Sequence, residues 1–432
     1  MAAPRKKLPS ERWTSFDDWD YGGMKERLED FMKSINKTAL IEHASTIFGS
    51  PVSLSDPFSA GQSWCCFELV APDHLLIARV RLPKHPDSNA PDAADEYLVQ
   101  CEIATMEFLQ ANIKTVLIQI PKIYAYEGPG AAKAIEVGAS YMLIQGFYGN
   151  SLQDVNDSLY DLPISTQEHI FAQWTAFQAE LAVFTFPQIG SISQFSADTG
   201  PVIGAIATAW LEHLPNSGPF QSGWEYFVAV AEGLVTCALQ RKRSDTEGAY
   251  NRFAVLAPLI FRNIVRDTEI FKSIQGPFHL NHMDMGMQNI LVDDDYNLVA
   301  IIDWEFAQSA PWEVNHYPMP IPLISSDRET AEFLHDTKHI AHRNTSRQVG
   351  ARLLYRQQFG EAERALEKRG NPLYCSIADV LEGKASRIYG EELTYELVRL
   401  GYGLTGSEAE EHVRMVEEEM KRTMVGVEST NG

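Results

Sequence analysis

Between His279 and Trp312 the chain carries three oxygen-bearing side chains at spacings that suit chemistry: Asp284, Asn289 and Asp303. Ile290–Val292 and Leu298–Ile302 are short apolar runs, and the residues between them, Asp293–Asn297, are turn formers. That pattern predicts a β-hairpin. Asn289 then lies just before the first strand and Asp303 just after the second, so both sit at the same end. Asp284 lies on the loop leading in. Magnesium prefers oxygen ligands and takes one or two carboxylates together with substrate phosphates, a role that suits Asn289 and Asp303. Phosphoryl transfer to a hydroxyl needs a carboxylate that orients the nucleophile and accepts its proton, which suits Asp284.

Elements that could hold these groups are legible upstream. Cys65–Val70 and Leu75–Leu82 are strand-like and flank a turn at Pro72-Asp73, which predicts a second hairpin. Residues 84–94 read as a polar loop. Residues 95–111 carry a helical stripe of Leu98, Ile103, Met106 and Leu109. A further strand pair is expected near 121–126 and 140–145. Two short helical patterns in residues 1–45 predict a leading arm. The glycines and polar residues at 146–151 suggest a boundary, after which Ser165 and Glu168 form a capping box. Ile170, Trp174, Phe177, Leu181 and Phe184 follow at helical spacing. Residues 325–422 look mostly helical. The expected class is therefore α+β: an arm (1–45), a small strand-rich lobe (46–146) and a large helical lobe (147–432). The helical lobe would carry the catalytic loop 279–305 and the substrate-determining helices 325–422. A hinge between two lobes is a favoured place for a ligand.

Length and composition agree. A chain of 432 residues exceeds one ordinary core. Hydrophobic residues make up 45% and charged residues 22%, as in soluble globular proteins. No apolar run approaches the ~18 residues that would span a bilayer, and the most apolar stretch, Phe227–Leu239, is interrupted by Glu232. The N-terminus has no apolar segment of secretory type, so the cytoplasm is the expected location. The five cysteines are scattered without a CxxC, which argues for packing rather than disulfides or zinc. A net charge of −22 disfavours nucleic-acid binding.

The order Asp284, Asn289, Asp303 matches the kinase pattern Asp-x-x-x-x-Asn followed by a metal-binding aspartate. The run from His282 to Ala307 resembles the signature of the aminoglycoside phosphotransferase family. That family stands with choline kinases and fructosamine kinases in a protein-kinase-like superfamily, and the likeness is greatest to its branch from filamentous fungi. Supporting matches are Ala78–Pro83, Glu102–Leu109, Tyr141–Ile144, Phe186–Ile192 and Gly218–Phe220. The resemblance covers roughly residues 46–320 and implies a two-lobed fold with ATP and Mg2+ as cofactors. It implies Asp284 as catalytic base and Asn289 and Asp303 as metal ligands. Glu102 would pair with the strand cation that grips the phosphates, and His282 would brace the catalytic loop. Gln145 to Phe147 would be the hinge whose backbone meets adenine, with Met142 or Ile144 lining the base pocket. The acceptor would be a hydroxyl on a small molecule.

Two positions depart from that pattern. The strand cation, normally lysine, is Arg79, with Arg81 on the same face. The phosphate loop Ser59–Trp64 has one glycine, leaving the amides of Gly61, Gln62 and Ser63 to cover phosphates. These departures keep a second reading open, a kinase-like nucleotide-binding protein with little turnover. A protein kinase is disfavoured, because the chain has neither a GxGxxG loop nor room for a long activation segment after Asp303. The acidic residues Glu391, Glu392 and Glu396 could hold an amine-bearing substrate or simply face solvent.

Overall fold

The computed structural model describes residues 6–13, 24–61, 63–72, 74–84, 90–113, 118–156, 158–244, 251–314 and 326–428. It divides into two compact units. The first comprises Met1–Leu159, Gln194–Pro201 and Asp284–Trp304. The second comprises Tyr160–Ser193, Val202–Met283 and Glu305–Gly432.

The first unit opens with helices α1 (Met24–Ser34) and α2 (Lys37–Phe48). Asn36 caps α2 by accepting from the Ala39 amide, and Gly49 closes it in the left-handed conformation. Strands β1 (Ser53–Ala60), β2 (Trp64–Val70) and β3 (Leu75–Arg81) follow, then helix α3 (Asp92–Asn112). Strand β4 (Ile123–Glu127), helix α4 (Ala132–Val137) and strand β5 (Tyr141–Gln145) complete an antiparallel sheet of order β1-β2-β3-β5-β4. Alternation along β2 and β3 gives the sheet two faces. Cys65, Phe67, Leu69, Leu76, Ala78 and Val80 form one core with Leu28, Leu40 and Ala44 of α1 and α2. Cys66 and Arg79, which pair across the strands, belong to the other face.

The two helices at the N-terminus are thus not an arm. Their apolar stripes have nowhere to be buried except against this sheet. The expected boundary at 146 also moves. Strand β6 (Asn150–Ser151) pairs with Ile290–Val292, which pairs in turn with Leu298–Ile301, so residues 147–156 and the hairpin Ile290–Ile301 belong to the sheet unit. Strand β1 was not legible, since Pro57 and its polar neighbours do not read as a strand. Pro57 is tolerated because β1 is an edge strand with register shifts on either side of it.

The second unit is mainly helical. Its longer helices are Ile164–Ala182, Gly223–Ser244, Phe253–Asp267, His342–Lys368 and Gly406–Glu428. The stripe Ile170, Trp174, Phe177 and Leu181 is buried. The expected capping box at Ser165 is absent: the helix begins at Ile164 with Pro163 as its cap and no side-chain cap bond. Gln167 instead donates to the Leu162 carbonyl at 2.8 Å. Among the described residues no helix is long and apolar enough to cross a membrane, and the five cysteines are free. The α+β class and the pairing of a small antiparallel-sheet unit with a larger helical one are as the sequence predicts.

Candidate active site

The first unit brings five of the expected residues into one connected set. Asp284 enters through a tight turn in which the Gly286 amide donates to the Asp284 carbonyl at 2.9 Å. A single turn of 3-10 helix, Met287–Asn289, leads into the hairpin. Asn289 is 5% exposed. Its Nδ2 donates to the Asp284 carbonyl at 2.8 Å and to Asp284 Oδ2 at 3.0 Å. That fixes the amide's orientation and leaves its oxygen to act as an acceptor. Gln288 Nε2 adds bonds to Asp284 Oδ1 at 3.3 Å and Oδ2 at 3.5 Å. The Ile302 amide donates to the Asn289 carbonyl at 3.0 Å, which ties the two ends of the hairpin together.

Asp303 ends the hairpin with φ of 65°, in the left-handed region that aspartate tolerates better than most residues. The next residue, Trp304, is fully buried and donates Nε1 to the Ile301 carbonyl at 3.1 Å. This anchors the turn that presents Asp303. Arg79 joins the hairpin to the sheet. Its Nη1 meets Glu102 Oε1 at 2.5 Å and its Nη2 meets Asp303 Oδ1 at 3.2 Å. Glu102, on α3, is completely buried.

The electrostatics follow from this packing. Burial alone would lower the basicity of Arg79, but the carboxylates of Glu102 and Asp303 outweigh it and hold the guanidinium firmly charged. Burial raises the Glu102 pKa, opposed by Arg79 and reinforced by Asp303. Burial also raises Asp284 above the usual aspartate range, with the charge of Asp303 adding to it and the bonds from Asn289 and Gln288 opposing it. Two carboxylates therefore press on one another at the hairpin edge, a charge distribution that a cation would relieve. The donor set fits magnesium: Asp303 supplies a partly exposed carboxylate, and Asn289 an amide oxygen whose N–H side is already committed.

No protein-family model matches the chain, and no curated protein matches it. Several solved structures resemble it at low identity. One, from Ralstonia eutropha, carries the provisional name of an aminoglycoside phosphotransferase. It is 16% identical, with 89% of this chain and 96% of that one covered and a TM-score of 0.41. A thermostable mutant of another aminoglycoside phosphotransferase is 16% identical, with coverage of 89% and 99% and a TM-score of 0.39. A protein of Haemophilus somnus with the provisional name of fructosamine-3-kinase is 12% identical, with coverage of 90% and 98% and a TM-score of 0.41. At these identities and scores the neighbours do not bear on what this chain binds or transfers.

The remaining expected residues fall in different places. Gly61 is exposed and Ser63 half-buried in the loop joining β1 to β2, while Gln62 lies outside the described residues. The Gly61 amide is already bonded to the Trp64 carbonyl at 2.9 Å. In the expected hinge, the amides of Gln145 and Gly146 donate to the carbonyls of Lys122 and Leu75, each at 2.8 Å. Of the three hinge residues, the Phe147 amide is the one without a hydrogen-bond acceptor among the described residues. Met142 and Ile144 are buried in β5. His282 is completely buried in the second unit. A cavity of about 170 Å³ beside His43 and Tyr141 opens on the α2 face of the sheet and contains none of these residues.

Gln288 was missed in the sequence. Its only signal is that it stands between Asp284 and Asn289 in the same tight turn. Trp64 was missed as well: the guanidinium carbons of Arg79 and Arg81 lie 4.8 and 5.0 Å from its ring centroid.

Two substitutions probe this framework. A Cβ on Gly146 would come within 2.6 Å of Leu75 Cγ and 3.1 Å of the Leu75 carbonyl carbon. Gly146→Ala is therefore expected to destabilise the fold by about 1–3 kcal/mol through overpacking, read as a lower urea midpoint. Arg79→Lys keeps the charge but replaces a two-pronged group with a single ammonium, which cannot reproduce both contacts. Losing one charge-assisted bond is expected to cost about 1.5–3 kcal/mol of stability, measured in the same titration. An unchanged midpoint would show that Arg79 does not bridge Glu102 and Asp303 in solution.

Proposed function

We propose that the protein transfers the γ-phosphoryl group of ATP to a hydroxyl of a small molecule. The observation that carries this reading is the linked set Glu102–Arg79–Asp303 beside Asn289–Asp284 within one unit. A carboxylate with a raised proton affinity thus lies close to an oxygen donor set suited to a metal. Asp284 would accept the hydroxyl proton as the acceptor oxygen bonds to the γ-phosphorus. The bond from that phosphorus to the β–γ bridging oxygen breaks, and ADP departs. Gln288 and Asn289 hold the Asp284 carboxylate in place for that transfer. Asn289 and Asp303 are the residues that would hold Mg2+, which, when bound, supplies neutralisation of phosphate charge. Arg79, kept charged by its two carboxylates, adds a fixed cation beside the polyphosphate. The Phe147 amide is available to meet the adenine edge.

The reading is tested by incubating the protein with Mg-ATP and a panel of hydroxyl-bearing metabolites and following ADP release. ADP formation that depends on one acceptor class supports it. A second reading, nucleotide binding with little turnover, is favoured by one observation: Arg79 is already engaged by two carboxylates, which compete with a phosphate for its charge. Under that reading ATP raises the melting temperature in the presence of Mg2+, and no acceptor releases ADP.

A further inference from the structure

Residues 8–13 cross the first unit as a short strap. A single turn of 3-10 helix, Pro9–Glu11, shapes it, and Glu11 Oε2 accepts from the Leu8 amide at 2.7 Å. Glu68 on β2 is completely buried, and Ser10 bonds both of its carboxylate oxygens. The Ser10 amide donates to Oε1 and the hydroxyl to Oε2, each at 2.6 Å. Arg12 reaches the turn of the hairpin Ile290–Ile301, with Nη1 and Nη2 at 2.6 and 3.2 Å from Asp294. Its carbonyl accepts from Asn150 Nδ2 at 3.0 Å. Trp13 completes the strap. Its ring meets that of Phe58 on β1 edge to face, with centroids 5.5 Å apart. The indole packs against the buried cluster of Phe147, Leu291 and Ala300, with Ile302 alongside. Its Nε1 donates to the Gly149 carbonyl at 3.4 Å. All of these residues belong to the first unit. Their places in the chain are informative. Phe147 carries the hinge amide assigned to the adenine edge, and Gly149 lies two residues beyond it. Leu291 lies two residues beyond Asn289, and Ile302 directly precedes Asp303. With Trp13 in place, Phe147 and Leu291 are only 7% and 5% exposed. An indole is a flat bicyclic ring with one N–H donor. A purine with an exocyclic amino group offers the same shape and the same kind of donor, so Trp13 lies beside the hinge as a base would.

We propose that this strap is autoinhibitory: Trp13 fills the base subsite and must leave before the nucleotide binds. This rests on the phosphotransferase reading above and concerns the regulation of that same site. Strap and base use one apolar surface, so each excludes the other and the coupling is reciprocal. A strap closed in about nine molecules of ten lowers nucleotide affinity about tenfold below that of the open site. Ser10 is the latch. A negative charge at its position, introduced by substitution or by phosphorylation of the hydroxyl, faces the Glu68 carboxylate and opens the strap.

The test uses the full chain as wild type, Trp13→Ala and Ser10→Glu. Affinities for Mg-ATP and adenosine are measured by calorimetry, and the opening of the strap is followed as tryptic cleavage after Arg12. Both variants are expected to bind both ligands about tenfold more tightly than wild type, because the two ligands share the base subsite. Cleavage after Arg12 should be slow in wild type, faster in both variants, and faster in wild type once Mg-ATP saturates it. Variants that bind Mg-ATP no more tightly than wild type overturn the proposal and leave the phosphotransferase reading standing. Protection of Arg12 by Mg-ATP does the same, since it would make Trp13 a wall of the base subsite rather than its plug. If neither wild type nor either variant binds Mg-ATP or adenosine, the proposal and the underlying reading fall together. Should Trp13→Ala fail to fold, the affinity of Ser10→Glu and the wild-type cleavage response decide the matter on the same terms.

Discussion

Asp303→Asn is expected to abolish the magnesium dependence of ATP binding while leaving the fold intact. Asparagine keeps the size of the side chain and tolerates the left-handed backbone at φ of 65°. Alanine at the same position would add a conformational cost and blur the result. The substitution removes one carboxylate contact from Arg79, and the Glu102 contact remains. It also removes the negative charge that helps to raise the pKa of Asp284 and of Glu102. Ligand at a hundred times its dissociation constant stabilises a native state by about 2.7 kcal/mol. Wild type should therefore show a magnesium-dependent rise in melting temperature with ATP, and Asp303→Asn none. A shift of equal size in both proteins would place the metal elsewhere.

Asp284→Asn should have the larger effect on turnover and almost none on nucleotide binding. General base catalysis contributes about 10²–10⁴-fold, and an amide cannot accept the proton. The loss should appear in kcat with the Kd for Mg-ATP little changed. Two further signs distinguish this role from a structural one. Burial and Asp303 raise the pKa of Asp284, so the ionised form is lost as pH falls through a value above the ordinary ~3.9 of aspartate. Wild-type activity should decline on that acid limb, and the limb should be missing from the residual activity of the variant. Stability follows the opposite sign. A carboxyl whose pKa is raised in the folded state favours folding while it is protonated, and that contribution is lost as pH rises through the raised pKa. At neutral pH the buried charge of Asp284 is a burden on the fold, so Asp284→Asn should be at least as stable as wild type without ligand. A variant that unfolds more easily than wild type at neutral pH would mean that Asp284 is a structural group.

Features that local patterning can encode were legible in the sequence. The hairpin around Asp293–Asn297 follows from two apolar runs and a turn, and it alone puts Asp284, Asn289 and Asp303 at one edge. The β2–β3 hairpin, the helix that carries Glu102 and the β4–β5 pair are likewise periodicities of a few residues. Alternation was also enough to put Arg79 and Arg81 on one strand face. Which residues meet across the chain came from long-range packing. Arg79 finds Glu102 at a separation of 23 residues and Asp303 at 224, and no local pattern selects such a partner. The N-terminal helices looked like an arm because their apolar stripes are visible in the sequence but the sheet that buries them is not. The hairpin Ile290–Ile301 joined the sheet unit because an unpaired strand edge must find hydrogen bonds, and β6 supplied them. Periodicity fixes the direction in which each side chain points, while long-range packing decides whether that direction ends in a partner, in a core or in a site.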